Sequence, residues 1–249
     1  MNFHTSFYPS FKILNGLPAY LFFEQNANQS MNDRLFKKQV AELLAFSRIK
    51  KLNRLGFMLY SDSDAARVYK RILLDFEFVE FAQKIEVKKD LRFFNINELF
   101  FEWKCISDSA LTEAEFAELW AQCMKNSDNA ISTLSIKEHM AGLKSELQDQ
   151  WMSSCFAAFK NGEPIGISIP HIEPGTQDEG RLFYLGLLPN KRGNGYARIL
   201  HLDSLNILKN IGASYYIGST HKSNIKMKKV FDANDCELIA ETESFYYYL

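Results

Sequence analysis

The sequence predicts an α/β protein: a mixed, mostly antiparallel sheet flanked by helices, with a smaller α/β domain at its N-terminal end. Three observations carry this. Apolar runs of strand length alternate with segments of helical periodicity along the chain. Thr112-Glu113-Ala114-Glu115 and Ser135-Ile136-Lys137-Glu138 both have the S/T-x-x-E form that opens a helix. Lys160-Asn161-Gly162-Glu163 joins two apolar runs, Met152–Phe159 and Pro164–Ile169, and Asn-Gly suits a type I′ hairpin turn.

The elements follow in order. Leu35, Val40, Leu43 and Leu44 recur at helical spacing over residues 34–46. Gly56 to Tyr60 reads as a buried strand, and Ser61-Asp62-Ser63-Asp64 supplies cap chemistry for a helix to about Leu74. Phe76 to Val87, rich in aromatic and β-branched residues, reads as one long strand. A second series begins near Leu91, with helices ending near Lys125 and Gln148, the hairpin, and a strand over Arg181–Leu188 that stops at Pro189. A helix then runs from Gly195 to Gly212, followed by a strand (Ser214–Gly218), a helix (Asn224–Asp232) and two closing strands through Tyr248. The boundary between the series is set near residue 90, giving domains 1–90 and 91–249.

Composition excludes several classes. With a net charge of −1 and mixed signs along the chain, no basic surplus exists to neutralise phosphates, so nucleic acid is not an expected partner. No run of about 18 apolar residues occurs, and Met1 to Thr5 lacks the form of a secretion signal, so no membrane partner and a cytoplasmic location are expected. Cys105, Cys123, Cys155 and Cys236 are widely spaced, which predicts reduced, buried thiols. His4, His139 and His201 show no metal spacing, so no metal is expected, and His171, ending the hairpin, is expected to face solvent.

The segment from Leu187 to Leu200 is the most informative. A strand enters, Gly193 and Gly195 cross a turn, and a helix leaves. Glycine can take backbone angles other residues avoid and lets a ligand approach the main chain. The first amides of the new helix have no partners and lie at the positive end of its dipole, which suits a phosphate or pyrophosphate. The phosphate loop G-x-x-x-x-G-K-S/T is absent, and G-x-G-x-x-G fails because Arg198 stands at its third glycine.

Arg192, Gly195 and Ala197 fill R/Q-x-x-G-x-G/A, and Pro189, Gly193 and Leu200 fit its wider form. The stretch resembles motif A of the GNAT N-acetyltransferase superfamily, and the element order from about residue 91 onward is similar to that family's. The resemblance implies a GNAT-type sheet and acetyl-CoA as co-substrate. It implies that Arg192, Gly193, Asn194, Gly195, Tyr196 and Ala197 hold the coenzyme's pyrophosphate, chiefly through the amides of 193–197. Pantetheine would run beside Leu187 and Leu188, where the strand parts from its neighbour, and an amide near Leu187 would polarise the thioester carbonyl. The family's second signature, N-x-x-A-x-x-L-Y, falls on Asn224 to Phe231. Asn224 matches and would contact pantetheine or acceptor. Phe231 stands where many members carry a tyrosine that protonates the leaving thiolate.

Residues 1–90 are similar to a truncated, degenerate copy of the same unit. Asp62 to Tyr69 resembles the second signature, but Asn26 to Asn32 holds no glycine, so no coenzyme is expected there. An unrelated α/β extension is the alternative.

Acyl transfer to an amine needs a base for the ammonium proton. Many family members carry a glutamate on the strand before motif A, whereas Arg181–Leu187 has no carboxylate. The candidate catalytic residues are therefore His221, which follows the next strand, and Tyr184, each with a plainer role as loop or core residue. The expected function is acetyl transfer from acetyl-CoA to a primary amine of a small molecule. A protein N-terminus or lysine is an alternative acceptor, and a non-catalytic acyl-CoA-binding regulator is a third reading.

Overall fold

The computed structural model describes residues 7, 9–17, 20–26, 29–94, 98–129 and 134–249. They form two compact units, Met1–Glu86 with Ile239–Leu249, and Val87–Leu238. The sequence reading set the division at 1–90 and 91–249, close to the first of these bounds. The last strand completes the first unit, because Thr242 to Tyr248 pair antiparallel with Tyr60 to Arg54.

The first unit contains β1 (Phe11–Gly16), β2 (Tyr20–Gln25), α1 (Asp33–Lys50), β3 (Arg54–Tyr60) and α2 (Asp64–Asp75). It also holds most of β4 (Val79–Asp90) and of β10 (Glu237–Tyr248). Strand order is β1-β2-β3-β10-β4. Asn32 caps α1 by accepting the Arg34 N–H at 2.9 Å, and Ser63 caps α2 by accepting that of Ala66 at 3.0 Å. Side chains alternate across each strand, so Phe23, Phe57 and Phe245 reach one face and pack on Phe36 and Leu43 of α1 and Tyr69 of α2. One continuous β10 replaces the two closing strands expected, since its pairing with β3 runs unbroken.

The second unit contains β5 (Glu102–Cys105), α3 (Glu113–Met124), α4 (Ile136–Leu147) and the one-turn α5 (Trp151–Ser154). There follow β6 (Phe156–Lys160), β7 (Glu163–Ile172), β8 (Glu179–Leu187), α6 (Tyr196–Asn210), β9 (Tyr215–His221) and α7 (Ile225–Ala233). Strand order is β4-β9-β8-β7-β6-β5. Both capping boxes form, at Thr112 with Glu115 and at Ser135 with Glu138. The hairpin turn holds Asn161 at φ 53° and Gly162 at φ 77°, the left-handed angles a type I′ turn requires. The strand expected from Met152 starts instead at Phe156. Ser153 and Ser154 bond the Gln150 carbonyl at 2.9 and 3.0 Å and prolong a helical turn.

Helices cover both faces of this sheet. Ile167 and Ile169 of β7 pack on Trp120 of α3 and Leu143 of α4. Ser168, between them, faces the other way and meets Ser204 of α6 at 2.8 Å. Leu200 of α6 packs on Ile165 and Leu187. The buried Asp203 carboxylate accepts the N–H groups of Phe100, Phe101 and Trp103 at 3.0–3.1 Å and ties the approach to β5 onto α6. Burial raises its pKa and those donors oppose the rise. All four cysteines are free and buried, and burial pushes the thiols of Cys123, Cys155 and Cys236 up to about 12.

Candidate functional site

The site grows from two neighbouring strands that part. β8 and β9 run parallel, with Cα partners at Glu179↔Tyr215 and Gly180↔Tyr216, and past these pairs the two strands part. The other edge of β8 stays bound to β7 as far as Gly166↔Leu187. The Leu188 N–H donates to the Ile165 carbonyl at 3.0 Å, on the β7 side. Peptide groups alternate along a strand, so those of Leu187 and Leu185 face the open edge. Their carbonyls there accept Arg192 Nε at 3.3 Å and Asn129 Nδ2 at 3.4 Å, which leaves the Leu187 N–H pointing into the opening.

Past this edge the chain turns through Pro189–Lys191 into α6. Gly193 and Gly195 hold φ of +80° and +76°, and a Cβ built on either meets no atom within 4 Å. The positive φ explains glycine at both positions, and the open space gives a ligand access to the main chain. Gly195 is the N-cap of α6, and no side chain caps this helix. Among the described residues, every other α-helix of eight or more residues has a side-chain cap. The first amides of α6 are therefore donors without protein partners, at the positive helix end. The residues present fit a pyrophosphate.

The side chains around the turn are held by the protein itself. The Arg192 guanidinium is held within the protein: besides Leu187 it donates to the carbonyls of Asn126 at 2.6 Å and Cys123 at 2.9 Å. Leu188 has its N–H on Ile165, its carbonyl on the Lys191 N–H at 2.9 Å and its side chain in the core. The Asn194 side chain folds onto the Arg192 carbonyl. The Tyr196 ring packs edge-on against Phe101 with its hydroxyl 3.5 Å from Lys160 Nζ, so its amide and that of Ala197 are what the turn presents. Asn224 caps α7, accepting the Met227 N–H at 3.0 Å, and only its Nδ2 remains to donate.

The catalytic candidates stand on the two strands that part. Tyr184 is on β8, where the register shift against β7 between Ser168 and Pro170 forms a bulge. Its hydroxyl is buried; burial, with a smaller contribution from Cys123, pushes its pKa up to about 12, against hydrogen bonds with the side chains of Asn129 and Ser127 that oppose the rise. His221 ends β9, and its carbonyl accepts the Asn224 N–H at 2.9 Å. β8 begins with Glu179, earlier than expected, but that carboxylate is held by Arg181 at 2.6 Å and Tyr215 at 3.1 Å. Phe231 is buried against His201, with ring centroids 5.5 Å apart. His171 is buried rather than solvent-facing, with Nε2 3.3 Å from Glu173; burial lowers its pKa, partly offset by a hydrogen bond with the Ile169 backbone and by that carboxylate.

The first unit repeats the connections without the opening. β1 and β2 pair antiparallel and β2 and β3 parallel around α1, as β7, β8 and β9 do around α6. Yet β2 and β3 stay paired over five positions, from Tyr20↔Arg54 to Glu24↔Met58. Asn32 caps α1, and the Tyr69 hydroxyl bonds both the N–H and the carbonyl of Met31, at 2.6 and 2.8 Å. Paired strands, a capped helix and a bonded hydroxyl occupy the places of the gap, the free amides and the ligand. Ala27 and Asn28, in the loop noted for its lack of glycine, lie outside the described residues.

Residues 112–234 match the acetyltransferase (GNAT) family model. The chain carries a GNAT domain. Solved structures similar to it include a GCN5-related N-acetyltransferase from Sphaerobacter thermophilus, at 12% identity, TM-score 0.67, covering 96% of this chain and 76% of that one. A tandem GNAT protein from the clavulanic acid biosynthesis pathway aligns at 9% identity, TM-score 0.62, covering 96% and 78%. A GNAT acetyltransferase from Colwellia psychrerythraea aligns at 11%, TM-score 0.58, covering 96% and 81%. At such identities the likeness is one of fold, and it extends over both GNAT-like units. Comparison with curated proteins gives no match. No helix among the described residues is long and apolar enough to cross a membrane, and no group of three or more His, Cys, Asp or Glu among them could hold a metal.

Proposed function

We propose that the GNAT domain binds acetyl-CoA at the β8–α6 turn and passes its acetyl group to a primary amine of a small molecule. The observation that carries this is the uncapped start of α6, with two positive-φ glycines, beside strands that part after two paired positions. Amides of residues 193–197 would hold the pyrophosphate, and Asn224 Nδ2 would donate to pantetheine. Acetyl-CoA supplies an acyl group activated as a thioester. The Leu187 N–H, facing the open edge, would donate to the carbonyl oxygen as negative charge grows there. His221 is the proposed base for the amine, and Tyr184 lines the acceptor side.

The absence of an uncommitted carboxylate on β8 favours one other reading, an acyl-CoA-binding protein without transfer. Calorimetric titration with acetyl-CoA, followed by thiol release with a panel of small amines, a peptide N-terminus and a lysine peptide, separates the readings. Binding with thiol release only for small amines supports the proposal. Binding without release supports the second reading, and no binding removes both.

A further inference from the structure

Among the described residues, α1, α2 and Phe7 pack on one face of the first unit's strands, the face that carries Phe23, Phe57 and Phe245. In the second unit α6 packs on one face of the strands, and α3 and α4 cover the other. The first unit has no described helix in the place of α3 and α4, so the outer face of its strands stays open. Alternation along β2, β3 and β10 turns Tyr20, Phe22, Arg54, Met58, Tyr246 and Tyr248 outward. Phe81 of β4 joins them, its ring 4.8 Å from that of Tyr246, which also lies 5.8 Å from Phe22 and 6.1 Å from Tyr248. Gly56 makes room for this cluster, since a Cβ there would stand 2.2 Å from the Phe22 ring and 2.7 Å from that of Tyr246. Phe81, Tyr248 and Tyr20 are 60, 58 and 37% exposed, so the aromatic patch reaches the surface as interaction sites do.

The face is apolar in its middle and charged at its ends, with opposite signs. Where β3 begins, the Arg54 guanidinium lies over the rings of Tyr246 and Tyr20, at 4.6 and 5.4 Å, and its N–H groups bond no described residue. Where β3 ends, the carboxylates of Glu24 and Glu86 lie near Tyr60, whose pKa is raised by burial and then by their charge. Lys12 sits 3.8 Å from Glu24 and offsets part of that charge, so two of these three groups are negative. From Arg54 to Tyr60 the strand rises roughly 20 Å at about 3.3 Å per residue.

We propose that a second copy of the chain docks on this face, sheet against sheet, about a two-fold axis that crosses the strands between the two faces. A two-fold interface must be complementary to itself, since every contact is made twice with the roles exchanged. Rotation about such an axis exchanges the ends of β3, so Arg54 of each copy meets the carboxylate end of the other while the aromatic centres stack together. Packed sheets keep their strand directions within about 30°, which this arrangement allows. The area suffices for a reversible dimer. Five strands about 4.8 Å apart and about 20 Å long give a footprint of roughly 500 Å² before side-chain relief is counted, near the about 800 Å² per partner of a standard interface. Arginine and tyrosine are also the residue types enriched in interface cores.

The test measures the dimer dissociation constant by sedimentation equilibrium, over a wide concentration range and at low and high salt. The variants are Phe81→Glu, Arg54→Glu, and Arg54→Glu combined with Glu24→Arg, which swaps the signs of the two ends. The parent should dimerise, more weakly at high salt. Each single variant should raise the dissociation constant about 10-fold or more, and the combined variant should recover most of the loss. Acetyl-CoA affinity should not change, because the contact needs no part of the coenzyme site. A parent that stays monomeric throughout overturns the proposal and leaves the face to a different partner. Dimers of unchanged strength in both single variants overturn it too, by placing the contact elsewhere. Weakening without recovery in the combined variant overturns the two-fold arrangement. Phe81 is exposed, so Phe81→Glu decides the question even where Arg54→Glu fails to fold.

Discussion

Arg192 donates from Nη2 to the carbonyl oxygen of Cys123 at 2.9 Å, and so joins the turn before α6 to the last turn of α3. Nη1 reaches Asn126 and Nε reaches Leu187, so one planar fork satisfies three carbonyls from two segments. A lysine offers a point charge and cannot span them. Arg192→Lys should lower stability by about 2 kcal/mol, on the scale of hydrogen bonds to charged groups. Acetyl-CoA affinity should fall only a few-fold. Urea melts and calorimetry read the two effects, and a large affinity loss without destabilisation would return the side chain to the ligand.

Gly195 is best tested as a pair. Gly195→Asn and Gly195→Asp impose the same strain at φ +76° and differ in charge alone. A carboxylate against a pyrophosphate should weaken acetyl-CoA binding at least 10-fold beyond the asparagine variant, and more at low salt. Equal dissociation constants for the two would mean that no phosphate lies at this turn.

Coenzyme stoichiometry follows from the first unit. With β2 and β3 paired throughout, α1 capped by Asn32 and Tyr69 bonded to Met31, titration should give one acetyl-CoA per chain. Two equivalent sites would contradict that account.

Motif A was legible because its chemistry is a backbone requirement. Gly193 and Gly195 take positive φ, and that demand is written in residue type. The capping boxes and the Asn161-Gly162 turn were legible for the same reason. What the sequence hid depends on tertiary placement. Nothing local says that the Arg192 guanidinium turns inward to Cys123, or that β10 crosses back to β3. His171 looked solvent-facing because it ends a strand, yet the face it shares with Ile167 and Ile169 is covered by α3 and α4. In the first unit the cap falls on Ser63, inside the Ser61–Asp64 stretch whose residue types supply cap chemistry.

Acid should unfold the protein partly through His201. Its ring is fully buried, its Nδ1 lies 2.8 Å from Asn234 Nδ2, and burial lowers its pKa from 6.5 to about 3. Between those values the unfolded chain binds a proton that the folded chain refuses. Stability therefore rises with pH across this window and falls as pH drops from about 6.5, by up to about 1.4 kcal/mol per pH unit. His201→Gln keeps an acceptor for Asn234 but does not titrate. It should flatten the loss of Tm between pH 6.5 and 4, whatever its cost at neutral pH, and an unchanged slope would remove His201 from the account.

Proton transfer gives the most exposed prediction. Phe231 is 1% exposed with its ring 5.5 Å from that of His201, so Phe231→Tyr must place a hydroxyl in the core. Leaving it without a partner costs about 1–3 kcal/mol, so the variant should be less stable and no faster. Loss of the acid need not stop turnover, because a thiol with a pKa near the cysteine value of about 8.5 leaves tolerably as thiolate. Removing the ammonium proton is the harder step. If His221 at the end of β9 performs it, His221→Ala should lower kcat by about 10²-fold and leave acetyl-CoA affinity intact. Loss of affinity in step with rate would instead make His221 part of the coenzyme site. The parent rate in His221→Ala, together with a faster Phe231→Tyr, would move proton transfer to the α7 side of the opening.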